Sequence, residues 1–214
     1  LSKLKIALDK IKHSLDAYDS QSACCAINDF FEVLNNWYIR RSRSRFWESE
    51  KSADKICAYN TLYTSLHHMS IYMSSLLPLM SEQIYQGLTQ NNFTQSESVH
   101  LLEYPSIDIK VDAQLVADMD KIIDICGAGL YIRNAENIRV SQPLEGAKII
   151  VEELGDIRKF EELIKDELNV KQVQFSENLS EFAEKKLSIK FQILGKRLPA
   201  KMKEIITQSK QGNW

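Results

Sequence analysis

Glycine and proline are scarce, with seven and four copies in 214 residues. Turn-rich all-β folds use more of both, so long amphipathic helices are expected instead. No apolar run approaches the ~18 residues that a membrane-spanning helix needs. None of the four cysteines, Cys24, Cys25, Cys57 and Cys126, belongs to a CxxC pair, and no histidine stands at metal-finger spacing from them. They fall in apolar helical patterns and are expected to be reduced core residues of a cytoplasmic protein. His67 and His68 have no carboxylate or cysteine at ligand spacing, so no metal site is expected. A Gly-rich nucleotide loop, a nucleophile elbow and a Ser–His–Asp pattern are all missing, so no residue is assigned a catalytic role. The first residues, Leu1-Ser2-Lys3-Leu4, carry neither an initiator Met nor a signal-peptide pattern and read as the middle of a longer polypeptide.

What is present is enough for one substantial core, or for one core plus a small satellite domain: 44% of the residues are hydrophobic. Net charge is −2, but it is unevenly spread. Arg40, Arg41, Arg43 and Arg45 place four positive charges within six residues. Residues 152–167 hold seven acids against three bases, and Lys185–Lys210 holds eight bases against Glu204. Such local patches decide polyanion binding more than the total does. The basic cluster over 185–203 is favoured as a solvated face over a polyanion contact.

Leu4, Leu8, Ile11, Leu15 and Tyr18 recur at helical spacing. Asp19–Ser22 is a break with capping residues, and a second helix is expected to run from Ala23 through Arg41. A third spans Tyr59–Leu76 until Pro78 interrupts it, and Ser81 is expected to cap a short fourth. Residues 89–110 read as a long connection, and Asp112 opens a fifth helix through Leu130. The fold class is therefore mainly α: an antiparallel helical bundle over 1–135. A small α/β domain follows over 136–214, with strands at 137–140, 147–151, 170–175 and 187–193 and helices at 156–168 and 198–208.

The most distinctive run is Asn35-Asn36-Trp37-Tyr38-Ile39-Arg40-Arg41-Ser42-Arg43-Ser44-Arg45-Phe46-Trp47. It resembles the signature of the helical anticodon-binding domain of the isoleucyl-tRNA synthetases, which are class Ia enzymes. Three further segments agree, in family order. Met73–Tyr85, ending Pro78-Leu79-Met80-Ser81-Glu82-Gln83-Ile84-Tyr85, is similar to the family's PFLPFLSEEIY-type segment, with Ser75 for its first proline, Leu76 and Leu79 for Phe, and Gln83 for Glu. Glu97-Ser98-Val99-His100-Leu101 with Tyr104-Pro105 resembles its ESVHL…WP, and His100 there is expected to be structural. Arg139–Leu144 resembles its KVRQPL, with Ser141 where an Arg is usual. The tail, Glu167–Lys171 and Leu194–Arg197, is similar to the family's C-terminal region. The family's catalytic signatures, HIGH and KMSKS, are absent. The resemblance therefore implies a tRNA-binding part whose parent ligase uses ATP and magnesium elsewhere in the polypeptide. This stretch needs no cofactor and is expected to be inactive alone. Its implied partners are isoleucine tRNA and the catalytic and editing domains of the same polypeptide, with no membrane.

Helix geometry sorts the arginines. At ~100° per residue from Phe30, Arg41 and Arg45 fall at about 20–60°, with the core residues Ala23 and Leu34. They are expected to be structural, paired with buried carboxylates such as Glu82; direct RNA contact is the alternative. Asn36, Arg40, Arg43 and Trp47 gather on another face, at about −80° to −140°. With Trp37 they form the expected RNA-binding set: guanidinium forks for phosphate, indole faces for unstacked bases, an amide for a base edge. The alternative is that Trp47 caps an apolar seam and the arginines are solvated. Ile39 and Phe46 point to burial on a second side. Arg133 and Arg139 flank the expected domain junction and are candidates for the anticodon stem.

Two rival functions stay open. One is the equivalent domain of the valyl, leucyl or methionyl enzyme. The other is a helical protein-interaction module with no RNA role, which the net charge and the acidic stretch favour.

Overall fold

The computed structural model describes residues 1–89, 98–151, 155–177, 201 and 205–208. Two compact units are present, Leu1–Asp124 and Ile125–Trp214, and the division falls inside one helix. The boundary expected at 135/136 lies at the end of that helix.

The first unit is helical. Helix α1 (Ser2–Asp16) buries Leu4, Leu8 and Ile11, the stripe that its sequence spacing predicts. Tyr18 ends the turn in a left-handed conformation (φ 58°), and the Asp19 N–H donates to the Ser14 carbonyl to close it. Asp19 then caps α2 (Ser20–Val33), accepting from the Ser22 N–H at 2.9 Å.

The second helix departs from expectation. It is not regular through Arg41: Leu34–Ile39 form a π-helical turn, and the chain breaks at Ser42 before the short α3 (Arg43–Trp47). The Arg40 N–H reaches the Asn35 carbonyl, five residues back. Each π turn takes an additional residue per turn and shifts every later side chain around the axis. Helix α4 (Ala53–Tyr72) begins at a Ser52 cap on the Lys55 N–H.

Helix α5 is Pro78–Thr89 and starts at the proline, not at a Ser81 cap. Proline suits the first helical position, where its missing N–H costs nothing. Ser81 is consequently one turn inside and fully buried. A 3₁₀ turn, Val99–Leu101, follows, and Asp112 caps α6 (Ala113–Ala135) through the Leu115 N–H at 2.9 Å. The core gathers α1, α2, the π turn, α4, Tyr85 and Val99.

The second unit is a β–α–β arrangement. Strand β1 (Leu144–Ile150) pairs in parallel with β2 (Val170–Ser176), Ala147 opposite Val173 and Ile149 opposite Phe175. The crossover carries a 3₁₀ turn (Ile157–Phe160) and α7 (Glu161–Leu168), which ends on Asn169 in the left-handed region. Gly129 of α6 meets the Leu168 side chain so closely that a methyl group there would sit 2.6 Å from its Cδ2.

Residues 137–140 are not a strand. They lie in a turn that the buried Arg133 holds: its guanidinium donates to the carbonyls of Arg139, Gln142, Leu168 and Asn169 at 2.6–3.1 Å. The last two carbonyls close α7, where the helix dipole favours a cation. Arg133 is 4% exposed, which removes it as an RNA contact. The expected strand 187–193, the Leu194–Arg197 tail and most of the basic cluster lie outside the described residues, as does the expected helix 198–208 apart from 201 and a helical turn at 205–208. The cysteines also depart from expectation: Cys126 is buried, but Cys24, Cys25 and Cys57 are exposed. Cys24 and Cys25 lie on the outward side of α2, whose buried residues are Ala23, Ala26, Ile27 and Phe30.

Candidate nucleic-acid interface

The arginine- and tryptophan-rich run folds into the π turn, a break and α3, backed by the N-terminal half of α4. Several contacts pin α3 in place. Arg45 meets Asp54 with two charge-assisted bonds, Nε to Oδ2 at 2.6 Å and a terminal nitrogen to Oδ1 at 2.7 Å. The Phe46 ring stands edge-on between Tyr38 and Tyr59, with centroids at 6.4 and 5.0 Å. Tyr38 OH donates to the Ala58 carbonyl at 3.1 Å and Tyr59 OH to the Phe46 carbonyl at 3.5 Å. Lys55 Nζ donates to the Glu48 carbonyl at the end of α3.

What this scaffold presents is an exposed aromatic among exposed cations. Trp47, the last residue of α3, is 85% exposed. Asn36, Arg40 and Arg43 are exposed as well. Arg40 Nε donates to the Asn36 carbonyl at 2.9 Å across the π turn, which fixes one edge of its guanidinium. Arg43 makes no ion pair among the described residues. Trp37 is half-buried, with the Arg41 guanidinium 5.5 Å from its ring centroid.

The structural arginines need correction on one point. Arg45 is not paired with Glu82. The partner of Arg45 is Asp54, whose side chain is 64% exposed, so the pair sits at the surface rather than in the bundle. The hydrogen bonds from Arg45 hold the Asp54 carboxyl below its ordinary range. The straight wheel placed Arg45 on the core stripe because it ignored the π turn and the break at Ser42. Asp54 was not identifiable from sequence: it is merely an acid in the first turn of the next helix, and only the chain reversal at 48–52 brings it to Arg45.

Glu82 has another role. Its Oε1 accepts from Gln86 Nε2 at 2.8 Å, and its Oε2 accepts from Ser98 Oγ and the Val99 N–H, both at 2.9 Å. These hydrogen bonds, Gln86 first, hold its carboxyl below the usual range. Val99 is thereby seated in the core. A few residues on, Tyr104 stacks on Tyr72 at 4.7 Å, and Tyr72 OH donates to the Pro105 carbonyl at 2.9 Å. Two of the segments that carry the family resemblance are thus joined to each other; they build the bundle instead of its binding face. Glu97 lies outside the described residues. His100 is exposed, and His67 stacks on Tyr63 at 5.7 Å and lies 5.5 Å from Tyr85. Among the described residues no group of three metal-ligating side chains comes together, and no helix is long and apolar enough to cross a membrane.

A helical bundle displaying arginines and an indole on one pinned surface element is suited to binding structured RNA. In agreement, residues 1–151 match the model of a family described as the anticodon-binding domain of tRNA ligase. The chain belongs to that family. Over its whole length it is 52% identical to the isoleucine–tRNA ligase of Rickettsia bellii (strain OSU 85-389), of which it covers 21%. It is 52% identical to that of Rickettsia prowazekii (strain Madrid E) and 50% identical to that of Rickettsia typhi (strain ATCC VR-144 / Wilmington), covering 22% of each. The chain therefore spans about a fifth of the length of these curated relatives.

Proposed function

We propose that this chain is the part of a cytoplasmic isoleucine–tRNA ligase that grips the anticodon arm of isoleucine tRNA. Catalytic and editing domains elsewhere in such a polypeptide then perform the ATP- and magnesium-dependent aminoacylation, and this part contributes position and choice between tRNAs. The observation that carries the reading is Trp47. A tryptophan left 85% exposed at the end of a helix held by a bidentate ion pair is a displayed group, not a frayed one. With Arg40 and Arg43 nearby in sequence, it combines a stacking face with phosphate forks. Asn36 supplies an amide, and Trp37 a second, recessed indole. Arg41 and Arg45 support these groups, the first against Trp37 and the second through Asp54.

Binding of the chain to isoleucine tRNA and a non-cognate tRNA across a salt series tests this. Arg43→Ala should weaken binding to both and reduce the slope of log affinity against log salt by about one phosphate's worth, roughly 0.7–0.9. Trp47→Ala should cost about 1–3 kcal/mol with little change in slope. Equal binding by wild type and both variants would overturn the site, and no binding at low salt would overturn the function.

A further inference from the structure

Two adjacent histidines, His67 and His68, lie in the C-terminal half of α4, outside the surface described above. Their surroundings differ. His68 Nδ1 donates to the Thr64 carbonyl at 2.8 Å, within its own helix. His67 instead reaches the next helix. Its ring stacks on Tyr63, stands edge-on to His68 at 5.4 Å and lies tilted against Tyr85 of α5 at 5.5 Å. Tyr85 is buried in the core, and its carbonyl accepts from Thr89 Oγ at 2.9 Å, where α5 ends. His67 thus packs an ionisable ring into the seam between α4 and the last turns of α5. Among the described residues its ring nitrogens have no hydrogen-bond partner.

We propose that His67 is a pH-operated latch: as a neutral ring it closes the end of α5 onto α4, and on taking a proton it releases it. The groups that face it set the direction. From its own helix these are Tyr63 and His68, and from α5 Tyr85. None of them is a carboxylate. Glu82, the acid of α5 that lies one turn before Tyr85, accepts from Gln86, Ser98 and Val99 instead. An imidazolium at position 67 therefore has no anion facing it among the described residues, and the neighbouring imidazole repels it when charged. The faces of tyrosine rings attract a cation. Burial outweighs that attraction: together with the His68 charge, the smaller cause, it holds the His67 ring below the ordinary imidazole range. The fold thus prefers the neutral form. The stability it contributes is complete above the unfolded pKa of about 6.5 and is lost as pH falls through the folded value. The Glu82 clamp responds to acid in a separate window, below about pH 5.

The test combines a histidine titration by NMR with hydrogen exchange of the α5 amides, both on the 214-residue chain between pH 7.5 and 5. The His67 ring should titrate below about 6.5. Protection of the amides of Gln86–Thr89, corrected for intrinsic exchange, should fall across the same titration. The loss should approach tenfold for each unit that separates the His67 value from 6.5. The Val99 amide, held by Glu82, is the internal control and should stay flat over this window. His67→Phe keeps a ring in the seam but cannot take a proton, so its α5 protection should not change with pH. His67→Gln is smaller, is equally unable to take a charge here, and is read in the same way if the larger ring disturbs folding. His68→Gln removes one repelling charge, so His67 should titrate higher and the loss of protection should shrink. A His67 titration at or above 6.5 would overturn the latch. So would a fall in α5 protection that persists undiminished in the His67 variants, or one that Val99 shares in full.

Discussion

Replacing Glu82 by Ala removes a carboxylate that accepts three hydrogen bonds, from Gln86, Ser98 and the Val99 backbone. Hydrogen bonds to a charged group contribute about 1.5–3 kcal/mol each, but Glu82 is only partly buried, so water replaces some of what is lost. The least replaceable bond is the one to the Val99 N–H, because the Val99 side chain is 1% exposed and anchors the chain there in the core. A net cost of about 2 kcal/mol is expected, with the opening confined at first to residues 98–105. Hydrogen exchange reads this directly: protection of the Val99 amide should fall by about thirtyfold, since 1.4 kcal/mol is a factor of ten. Glu82→Gln keeps one acceptor oxygen for Ser98 and Val99, and the Gln86 amide can flip to meet the new NH₂, so it should lose much less. Acid should mimic the alanine variant. A carboxyl held below its ordinary range contributes stability that is complete above its unfolded pKa of about 4.3 and is lost as pH falls through its folded value. Protection at Val99 should therefore be flat from neutral pH down to about 5 and decline below about 4 in wild type, but not in the alanine variant. Unchanged protection in Glu82→Ala would refute the role assigned to this carboxylate.

Other perturbations test separate parts of the structure. Tyr18→Gly should stabilise the protein by about 0.5–1 kcal/mol, seen as a higher urea midpoint, because Tyr18 holds φ 58° with its ring 97% exposed and glycine adopts that conformation without steric cost. A lower midpoint would mean that the ring makes contacts worth more than the strain. Arg133→Met should destabilise the β–α–β unit by about 3 kcal/mol or more, since four carbonyls lose their donor. Exchange of the β1 and β2 amides would report it, and a loss under about 1 kcal/mol would be inconsistent with the cage. Thiol labelling of the native protein should modify Cys24, Cys25 and Cys57 quickly and Cys126 only on unfolding. Four equally fast thiols would contradict the burial of Cys126.

The sequence by itself determined the features that depend on neighbours along the chain. The apolar spacing of Leu4, Leu8 and Ile11, the Asp19 and Asp112 caps and the interruption at Pro78 all rest on local geometry, and the structure contains each of them. The family resemblance was likewise carried by short segments. Only the tertiary structure decided which side chains those segments hold together. Arg45 finds Asp54 because a chain reversal brings the start of α4 back to α3. Glu82 finds Ser98 and Val99 across a long connection. Residues 137–140 have strand-forming composition but turn, because a buried guanidinium needs their carbonyls and those at the end of α7. The π turn at Leu34–Ile39 shows the limit most plainly. One additional residue in a turn leaves the pattern of residue types unchanged but rotates everything after it, so a wheel drawn from sequence carries its phase error into every later arginine. Periodicity is a local property of the chain. The pairing of charges and the register of a distorted helix follow from packing that spans tens of residues.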